Sequence, residues 1–202
     1  MKGKLIALEG PDGCGKTTHA KLLADWLRSR GHEVLVTDEP TDGPAGRILK
    51  RALRGEVKLP LEAEALLFAA DRVQHSTQVI KPALNEGKIV ITERYLYSSL
   101  AYQSARGLSR RWIKMINKAA PKPDLAILID IPAETALRRI KSSRPPDVFE
   151  RDLELQRRVR ANYREIARSE GLKIVNGASE IGETQTEIRR HVNAVLHANL
   201  GR

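Results

Sequence analysis

The chain has 202 residues, the length of a single compact domain, and its 41% hydrophobic and 30% charged residues exclude a disordered protein. Its apolar runs are far shorter than the roughly 20 residues of a membrane-spanning helix, and we expect no signal peptide because no small-residue cleavage site follows the first residues. The net charge of +10 favours an anionic partner, which could be nucleic acid, a membrane surface or a phosphorylated small molecule.

Short apolar runs alternate along the chain with longer segments of helical periodicity. The runs predict five strands, at Leu5–Leu8, Val34–Val36, Ile89–Ile91, Leu125–Ile131 and Lys173–Val175. Because the runs are apolar without alternation and the connections are long and helical, we expect an α/β fold with a five-stranded parallel sheet covered by helices on both faces. The absence of repeats and of linker-like composition predicts one domain over residues 1–202.

Helical periodicity and helix-stop residues predict the connections between these strands. The predicted helices are Lys16–Arg30, Pro60–Val79 with a disturbance at Pro82, Leu96–Arg106, Arg110–Ala119, Ala133–Lys141, Arg151–Ser169 and Gly182–Ala198. Residues 142–147 interrupt the pattern between two charged helices and are predicted to form a mobile connection. An ordinary helix–helix turn is the alternative interpretation, since most loops carry no chemistry.

A glycine-rich sequence stands between the first predicted strand and the first predicted helix. Residues 10–17 match the phosphate-binding pattern G-x-x-x-x-G-K-[ST] in the context that the pattern requires. Glycines let backbone N–H groups converge on phosphate oxygens, while Lys16 would contact the β- and γ-phosphates and Thr17 would bind Mg²⁺. The predicted ATP-binding residues are Gly10, Pro11, Asp12, Gly13, Cys14, Gly15, Lys16, Thr17 and Thr18.

The phosphate loop alone leaves the reaction open. Switch GTPases, motor ATPases, ABC-type ATPases and small-molecule kinases share it, although the lack of an Asn-Lys-x-Asp sequence lowers the GTPase interpretation. Cys14 is the one cysteine of the sequence, so no internal disulfide forms and we expect a reducing, cytoplasmic compartment. Its thiol is either redox-sensitive in an electropositive loop or simply a small residue that fits there.

Two further segments are typical of a nucleotide site. Helical spacing puts Phe68 and Arg72 on one face, a ring to stack and a guanidinium to hold a phosphate, although a core Phe beside a surface Arg would look the same. Glu93 and Arg94 follow a predicted strand, at the edge where open α/β sheets bind ligands. Ser98, Ser99, Tyr102 and Gln103 follow on neighbouring helix faces and could contact a base edge, or could form a solvated helix start.

Together with Asp38-Glu39-Pro40 and Pro123-Asp124-Leu125, these motifs resemble those of the thymidylate kinase family over roughly residues 4–170. The resemblance implies a phosphate-loop kinase with a short lid segment (about residues 138–150). It implies a homodimeric, cytoplasmic transferase of nucleotide biosynthesis that moves the γ-phosphoryl group of ATP to dTMP, giving dTDP and ADP, with Mg²⁺.

The resemblance also implies a role for each motif residue. The dTMP-binding residues would be Asp12, Glu39, Phe68, Arg72, Arg94, Ser99, Tyr102 and Gln103. Phe68 would stack on thymine, with Ser99 and Gln103 near the base, and Tyr102 would lie near the sugar 2′ position. Asp12 would reach the sugar 3′-OH or the metal shell, Glu39 would support the pocket, and Thr17 with Glu93 would bind the metal.

The sequence departs from the family pattern in two places. Glu93 stands where the family usually has Asp, so the carboxylate is one methylene longer. Gly13 stands where some members have Arg, and members without that Arg tend to supply catalytic arginines from the lid segment. Arg144 is then the first candidate and Arg139 the second, which completes a predicted catalytic set with Lys16 and Arg94.

Two other functions fit parts of this pattern. Another nucleoside monophosphate kinase, with dUMP, CMP or AMP as acceptor, would use the same phosphate loop. A phosphate-loop ATPase stimulated by nucleic acid would use the basic stretch 138–168, in which ten Lys or Arg residues accompany five Asp or Glu residues. Aromatic residues are only 4% of the chain and are scattered, so we expect small-molecule substrates and neither nucleic acid nor a membrane as partner.

Overall fold

The computed structural model describes residues 3–143, 145, 147 and 150–197. The sheet consists of β1 (Lys4–Glu9), β2 (Val34–Asp38), β3 (Ile89–Glu93), β4 (Leu125–Asp130) and β5 (Lys173–Asn176). All are parallel, in the order β2-β3-β1-β4-β5, so β1 lies at the centre. The five predicted strands and the α/β class are therefore confirmed.

Helices connect successive strands. They are α1 (Lys16–Arg28), α2 (Pro44–Leu53), α3 (Leu61–His75), α4 (Lys81–Asn85), α5 (Leu96–Ala105), α6 (Arg110–Ile116), α7 (Ala133–Ser143), α8 (Leu153–Glu170) and α9 (Ile181–His197). A π-helical turn, Ser76–Ile80, joins α3 to α4. The lid segment falls largely between α7 and α8, and residues 144, 146, 148 and 149 lie outside the described residues.

Alternate side chains of β1 enter two apolar cores, one on each face of the sheet. Leu5 and Ala7 pack with buried residues of α5, α6 and α8, whereas Ile6 and Leu8 pack with those of α1 and α9. Parallel strands buried on both faces need apolar residues at every position, which explains the unbroken apolar runs. The edge strands β2 and β5 are more exposed than the central ones.

Two parts of the helix prediction are wrong. The helix α2 was not predicted, although Gly43 and Pro44 are typical of a helix start with Pro in the first turn. The predicted disturbance at Pro82 lies earlier, in the π-helical turn 76–80, and Pro82 itself sits in the first turn of α4. A proline has no N–H to donate and its ring crowds the preceding turn, so the backbone widens before it.

A close contact holds α2 against α3. The carboxylate of Asp71 accepts hydrogen bonds from the Thr41 backbone N–H at 2.9 Å and from the Thr41 hydroxyl at 2.5 Å. A Cβ on Gly46 would lie 2.1 Å from the Thr41 carbonyl oxygen and 2.8 Å from Asp71 Oδ1. The absence of a side chain at position 46 therefore allows this junction, which carries α2 and Leu53 to the site described below.

We expect Gly46→Ala to lower the free energy of unfolding by roughly 1–3 kcal/mol, because backbone atoms must move to admit the methyl group. The matched control is Gly182→Ala in α9, where a Cβ meets nothing within 4 Å. That variant is expected to be neutral or up to about 1 kcal/mol more stable. Urea titrations of the two variants would measure both values, and equal stabilities would contradict the assigned contact.

Candidate active site

The phosphate loop connects the central strand β1 to α1. The backbone torsion φ is positive at Gly10 (143°), Gly13 (76°) and Gly15 (96°), a conformation that glycine adopts readily. The Lys16 ammonium is buried over the loop and donates to the carbonyl oxygens of Gly10 and Pro11, at 3.0 Å each. The loop thus has the concave backbone and the positioned cation of a phosphate site.

Cys14 is a buried residue of this loop, and its sulfur lies 3.7 Å from the Lys16 ammonium. It is buried in the apolar core that faces α1, and Gly10 is tightly packed against its sulfur, which lies 2.8 Å from where a Cβ on that glycine would be. This arrangement supports the interpretation of Cys14 as a small residue that fits the turn.

The loop and the ends of β2 and β3 enclose the phosphate-loop cavity. Its lining residues are Asp12, Gly13, Gly15, Lys16, Thr17, Thr18, Asp38, Glu39, Glu93, Arg94, Arg139 and Ile140. Thr17 donates its hydroxyl hydrogen to Glu93 Oε2 at 2.7 Å, so the two residues predicted to bind the metal are in direct contact.

The oxygen donors in this cavity fit Mg²⁺. Mg²⁺ prefers hydroxyl and carboxylate oxygens and is usually bound by one or two protein groups together with substrate phosphates. Thr17 and Glu93 supply such a pair, with Asp38 in the same cavity. Among the described residues, no cluster of three or more His, Cys, Asp or Glu side chains could hold a metal ion.

A second cavity adjoins the first. It is lined by Asp12, Glu39, Pro40, Leu53, Glu64, Phe68, Arg72, Arg94, Ser98, Ser99, Tyr102, Gln103 and Asp147. All eight residues predicted to bind dTMP are therefore brought together here. Sequence reasoning did not anticipate Leu53, Glu64 and Asp147 as lining residues, since none belongs to a recognised motif.

Asp12, Glu39 and Arg94 line both cavities and form a shared wall between them. Arg94 and Asp12 form an ion pair across this wall. The Tyr102 hydroxyl donates to Asp12 Oδ2 at 2.9 Å, and the Arg94 guanidinium lies over the Tyr102 ring, 5.3 Å from its centroid. A cation and an anion are therefore fixed at the boundary between a phosphate-binding loop and a second ligand cavity.

The backbone directs Arg94 to this boundary. Its φ of 64° lies in the left-handed region, which costs a non-glycine residue about 1–3 kcal/mol. Two hydrogen bonds hold the conformation: Arg94 N–H donates to the Leu8 carbonyl at 3.0 Å, and the Thr92 hydroxyl donates to the Arg94 carbonyl at 2.9 Å. The turn at the end of β3 is thus anchored to β1, the strand that carries the phosphate loop.

The surroundings of Asp12 keep its carboxylate ionised. Burial by itself would raise the pKa of Asp12, but the charges of Arg94 and Lys16 and the hydrogen bond from Tyr102 lower it to about 2. Asp12 therefore carries its negative charge throughout the physiological pH range.

Arg72 occupies the floor of the second cavity and is 1% exposed. It donates to Glu39 Oε2 at 2.8 Å, to Ser99 Oγ at 3.1 Å and to the Tyr95 carbonyl at 3.1 Å, and also to Asn117 Oδ1. Its guanidinium is thus engaged with the protein on every nitrogen. A direct contact between Arg72 and an acceptor phosphate stays a prediction, and it would require exchange of one of these bonds.

Gln103 lines the second cavity and carries a buried amide oxygen. It is 2% exposed, and among the described residues its Oε1 has no hydrogen-bond partner. A buried amide oxygen without a partner is costly, so a donor from a ligand is the expected complement. Phe68 and Ser99 line the same cavity.

α7 packs directly on the phosphate loop. A Cβ on Gly13 would lie 2.5 Å from the Ala136 carbonyl oxygen, so position 13 has no room for a side chain such as Arg. Arg139 of α7 lines the phosphate-loop cavity and donates to the Gly177 carbonyl at 3.0 Å. Arg144, the other predicted lid arginine, lies outside the described residues.

The parallel sheet, the phosphate loop and the adjoining second cavity are the features of a phosphate-loop kinase. The family model for thymidylate kinase matches residues 8–188. Probable thymidylate kinases of Pyrococcus horikoshii and Pyrococcus abyssi are 50% and 49% identical over the full length of both chains, and the thymidylate kinase of Desulfotalea psychrophila is 39% identical over 96% of both. The chain belongs to the thymidylate kinase family, which confirms the predicted family and enzyme class. No helix in the described part of the chain is long and apolar enough to cross a membrane.

We expect the pH dependence of stability to reveal the Asp12 ion pair. Because the pKa of Asp12 falls from 3.8 to about 2 on folding, its contribution is present above about pH 4 and is lost as the pH falls toward 2. The shift corresponds to about 2 kcal/mol. Urea titrations between about pH 5 and pH 2 should therefore show a smaller loss of stability in Asp12→Asn than in the unmodified protein.

The matched control for this measurement is Asp25→Asn, since Asp25 is largely exposed on α1. That variant is expected to lose stability with the same pH dependence as the unmodified protein. Parallel curves for all three proteins would show that the shared wall does not depress the pKa of Asp12.

Proposed function

We propose that the chain transfers the γ-phosphoryl group of ATP to dTMP, giving dTDP and ADP, as a step of dTTP synthesis. The observation that carries the proposal is the shared wall of Asp12, Glu39 and Arg94 between the two cavities. The phosphate-loop cavity suits the triphosphate of ATP, and the second cavity suits the monophosphate. The two substrates would then meet end to end at the Arg94 guanidinium.

On the donor side, the phosphate-loop N–H groups and Lys16 would bind the β- and γ-phosphates. Thr17 and Glu93 are the residues that would hold Mg²⁺. Bound there, the ion would neutralise charge on the triphosphate. ATP as the donor and Mg²⁺ as the cofactor belong to the proposal and are supported by the loop sequence and by the 2.7 Å contact between Thr17 and Glu93.

The transfer itself would depend on positioning and charge neutralisation. A phosphate oxygen of dTMP forms a bond to the γ-phosphorus while the bond to the bridging oxygen breaks, and ADP leaves. The acceptor is already an anion, so no strong general base is required; the obstacle is bringing two polyanions into line. Arg94 lies where both phosphates would converge, and Asp12 and Ser98 hold its guanidinium in place.

The second cavity supports thymine as the base. Phe68 offers a ring for stacking, and Gln103 Oε1 would accept the hydrogen on N3 of thymine. Cytosine has no hydrogen on N3 and would leave this acceptor unsatisfied. The pair of Tyr102 and Asp12 would border the sugar and disfavour a 2′-hydroxyl group.

A cation from α7 or the lid segment would complete the charge neutralisation. Arg139 lines the phosphate-loop cavity, and Arg144 follows α7 directly in the sequence. Arginines that act on a transferring phosphoryl group raise rates by roughly 10³–10⁵ in GTPases. We place Arg144 first and Arg139 second in this role.

A homodimer in the cytoplasm is part of the proposal. Leu66 is 50% exposed and Val73 is 38% exposed, and these two residues of α3 line a surface groove together with Ile116 of α6. Apolar residues of this size clustered on neighbouring helices are typical of an interface between copies of a chain. The single cysteine, Cys14, is consistent with a reducing compartment.

The reaction can be tested with a coupled assay of ADP release using Mg·ATP and, separately, dTMP, dUMP, CMP, AMP and single-stranded DNA. Turnover with dTMP should exceed that with every other acceptor. The variant Arg94→Ala should lower kcat at least about 100-fold, because the cation at the shared wall is lost.

The control is Arg158→Ala, which removes an exposed arginine of α8 and should leave kcat unchanged. Stimulation of ADP release by DNA with dTMP inert would instead favour the nucleic-acid-dependent ATPase. Near-normal turnover of Arg94→Ala would remove Arg94 from the catalytic set.

Sedimentation velocity tests the dimer. We expect the unmodified chain to sediment as a dimer and Val73→Glu to sediment as a monomer, because a carboxylate would be buried on the α3 face. Ile181→Glu places the same charge on an exposed apolar residue of α9 and should leave the dimer intact. A monomeric unmodified chain, or a dimer unaffected by Val73→Glu, would overturn the assigned interface.

A further inference from the structure

A cluster of three buried polar side chains lies behind the shared wall. Glu9 ends β1, Ser98 belongs to the first turn of α5, and Tyr163 comes from the middle of α8. The Ser98 hydroxyl lies 2.6 Å from Glu9 Oε2 and 2.8 Å from the Tyr163 hydroxyl, which is itself 3.3 Å from Glu9 Oε2. Glu9 and Tyr163 are fully buried, and Ser98 is 8% exposed. We call these residues the Tyr163 cluster.

Hydrogen-bond chemistry assigns directions within the Tyr163 cluster. The shortest contact runs from the Ser98 hydroxyl to the Glu9 carboxylate, so Ser98 uses its one hydrogen there. Ser98 Oγ then accepts from Tyr163 and, at 3.4 Å, from Arg94 Nη1. Burial raises the pKa of Glu9, while the bond from Ser98 and the charge of Arg94 oppose that rise.

The ring of Tyr163 also touches the shared wall. It packs edge-to-face against Tyr102, with centroids 6.2 Å apart and ring planes at 87°. Tyr102 in turn donates to Asp12 and lies under the Arg94 guanidinium. Tyr163 therefore supports both sides of the ion pair, Arg94 through Ser98 and Asp12 through Tyr102.

We propose that Tyr163 is a positioning residue for phosphoryl transfer, whose hydroxyl orients Ser98 and thereby holds the Arg94 guanidinium at the boundary of the two cavities. The inference rests on the function proposed above, in which Arg94 acts on both phosphates. It also assigns a role to α8, the helix that follows the lid segment and packs closely on α5. A polar cluster that only filled the core would stabilise the fold and leave turnover unchanged.

The test is Tyr163→Phe, which keeps the ring and its contact with Tyr102 and deletes only the hydroxyl. Steady-state kinetics should show kcat for dTMP lowered at least fivefold, with KM for ATP and for dTMP changed less than twofold. In a Ser98→Ala background the same change should lower kcat less than twofold, because the hydroxyl acts through Ser98. The matched control is Tyr97→Phe, a buried tyrosine of the same core, which should retain full kcat.

Turnover of dTMP by the unmodified enzyme is measured first, and its absence would overturn the proposed function itself. With the unmodified enzyme active, four results would overturn only the role of Tyr163: an unchanged kcat in Tyr163→Phe, a change confined to KM, an equal loss in Tyr97→Phe, or an undiminished loss in the Ser98→Ala background. If Tyr163→Phe does not fold, Glu9→Gln changes the carboxylate to which Ser98 donates. It should show the same loss of kcat, and full activity there would overturn the proposal.

Discussion

The ion pair between Arg94 and Asp12 fixes where the two cavities meet. The two residues follow β3 and β1, which are neighbours in the sheet although 82 residues separate them in the sequence. Leu8 pairs with Glu93 in the register of these strands, so both carboxyl ends reach the same edge. A parallel sheet thereby places the phosphate loop and the acceptor residues side by side, as expected for ligand sites in open α/β sheets.

The buried cations of the site are paired with buried carboxylates, and this pairing offsets the cost of burying charge. Three of the cations around the two cavities, Lys16, Arg72 and Arg94, lie close to the buried carboxylates of Glu9, Asp12 and Glu39. An unpaired buried charge costs several kcal/mol, whereas one held by a partner and further hydrogen bonds can be tolerated. In the proposed function, binding of two polyanions would change this balance, and the residues best placed to respond are those that the cavities leave accessible. Arg94 has that access, while Arg72 is committed to the protein.

The sequence predicted the five strands and many of the residues that line the two cavities, because both depend on local patterns. The phosphate loop and the segment from Glu93 to Gln103 each follow a strand, so strand prediction alone places them at one edge. Asn117 and Tyr163 were not anticipated, because each is a single polar residue on a helix whose partners lie 45 and 65 residues away. The spacing of Phe68 and Arg72 predicted that both lie on one helix face. It could not show that the Arg72 guanidinium would donate all its hydrogen bonds to other protein groups. The helix α2 was missed because its contact with α3 depends on the tertiary junction at Gly46.

The packing of α7 on Gly13 limits which residues could supply the additional cation of the proposed reaction. An arginine at position 13 of the loop would collide with the Ala136 carbonyl oxygen of α7. The close packing of α7 on the loop therefore excludes a side chain at this position. Position 13 has no room for an arginine, whereas Arg139 of α7, the helix that packs on this loop, lines the phosphate-loop cavity. In the proposed reaction, two elements of the fold would then share the neutralisation of the phosphate charges. Arg94 and Lys16 belong to the sheet edge, whereas the remaining charge belongs to the helix that leads into the lid segment.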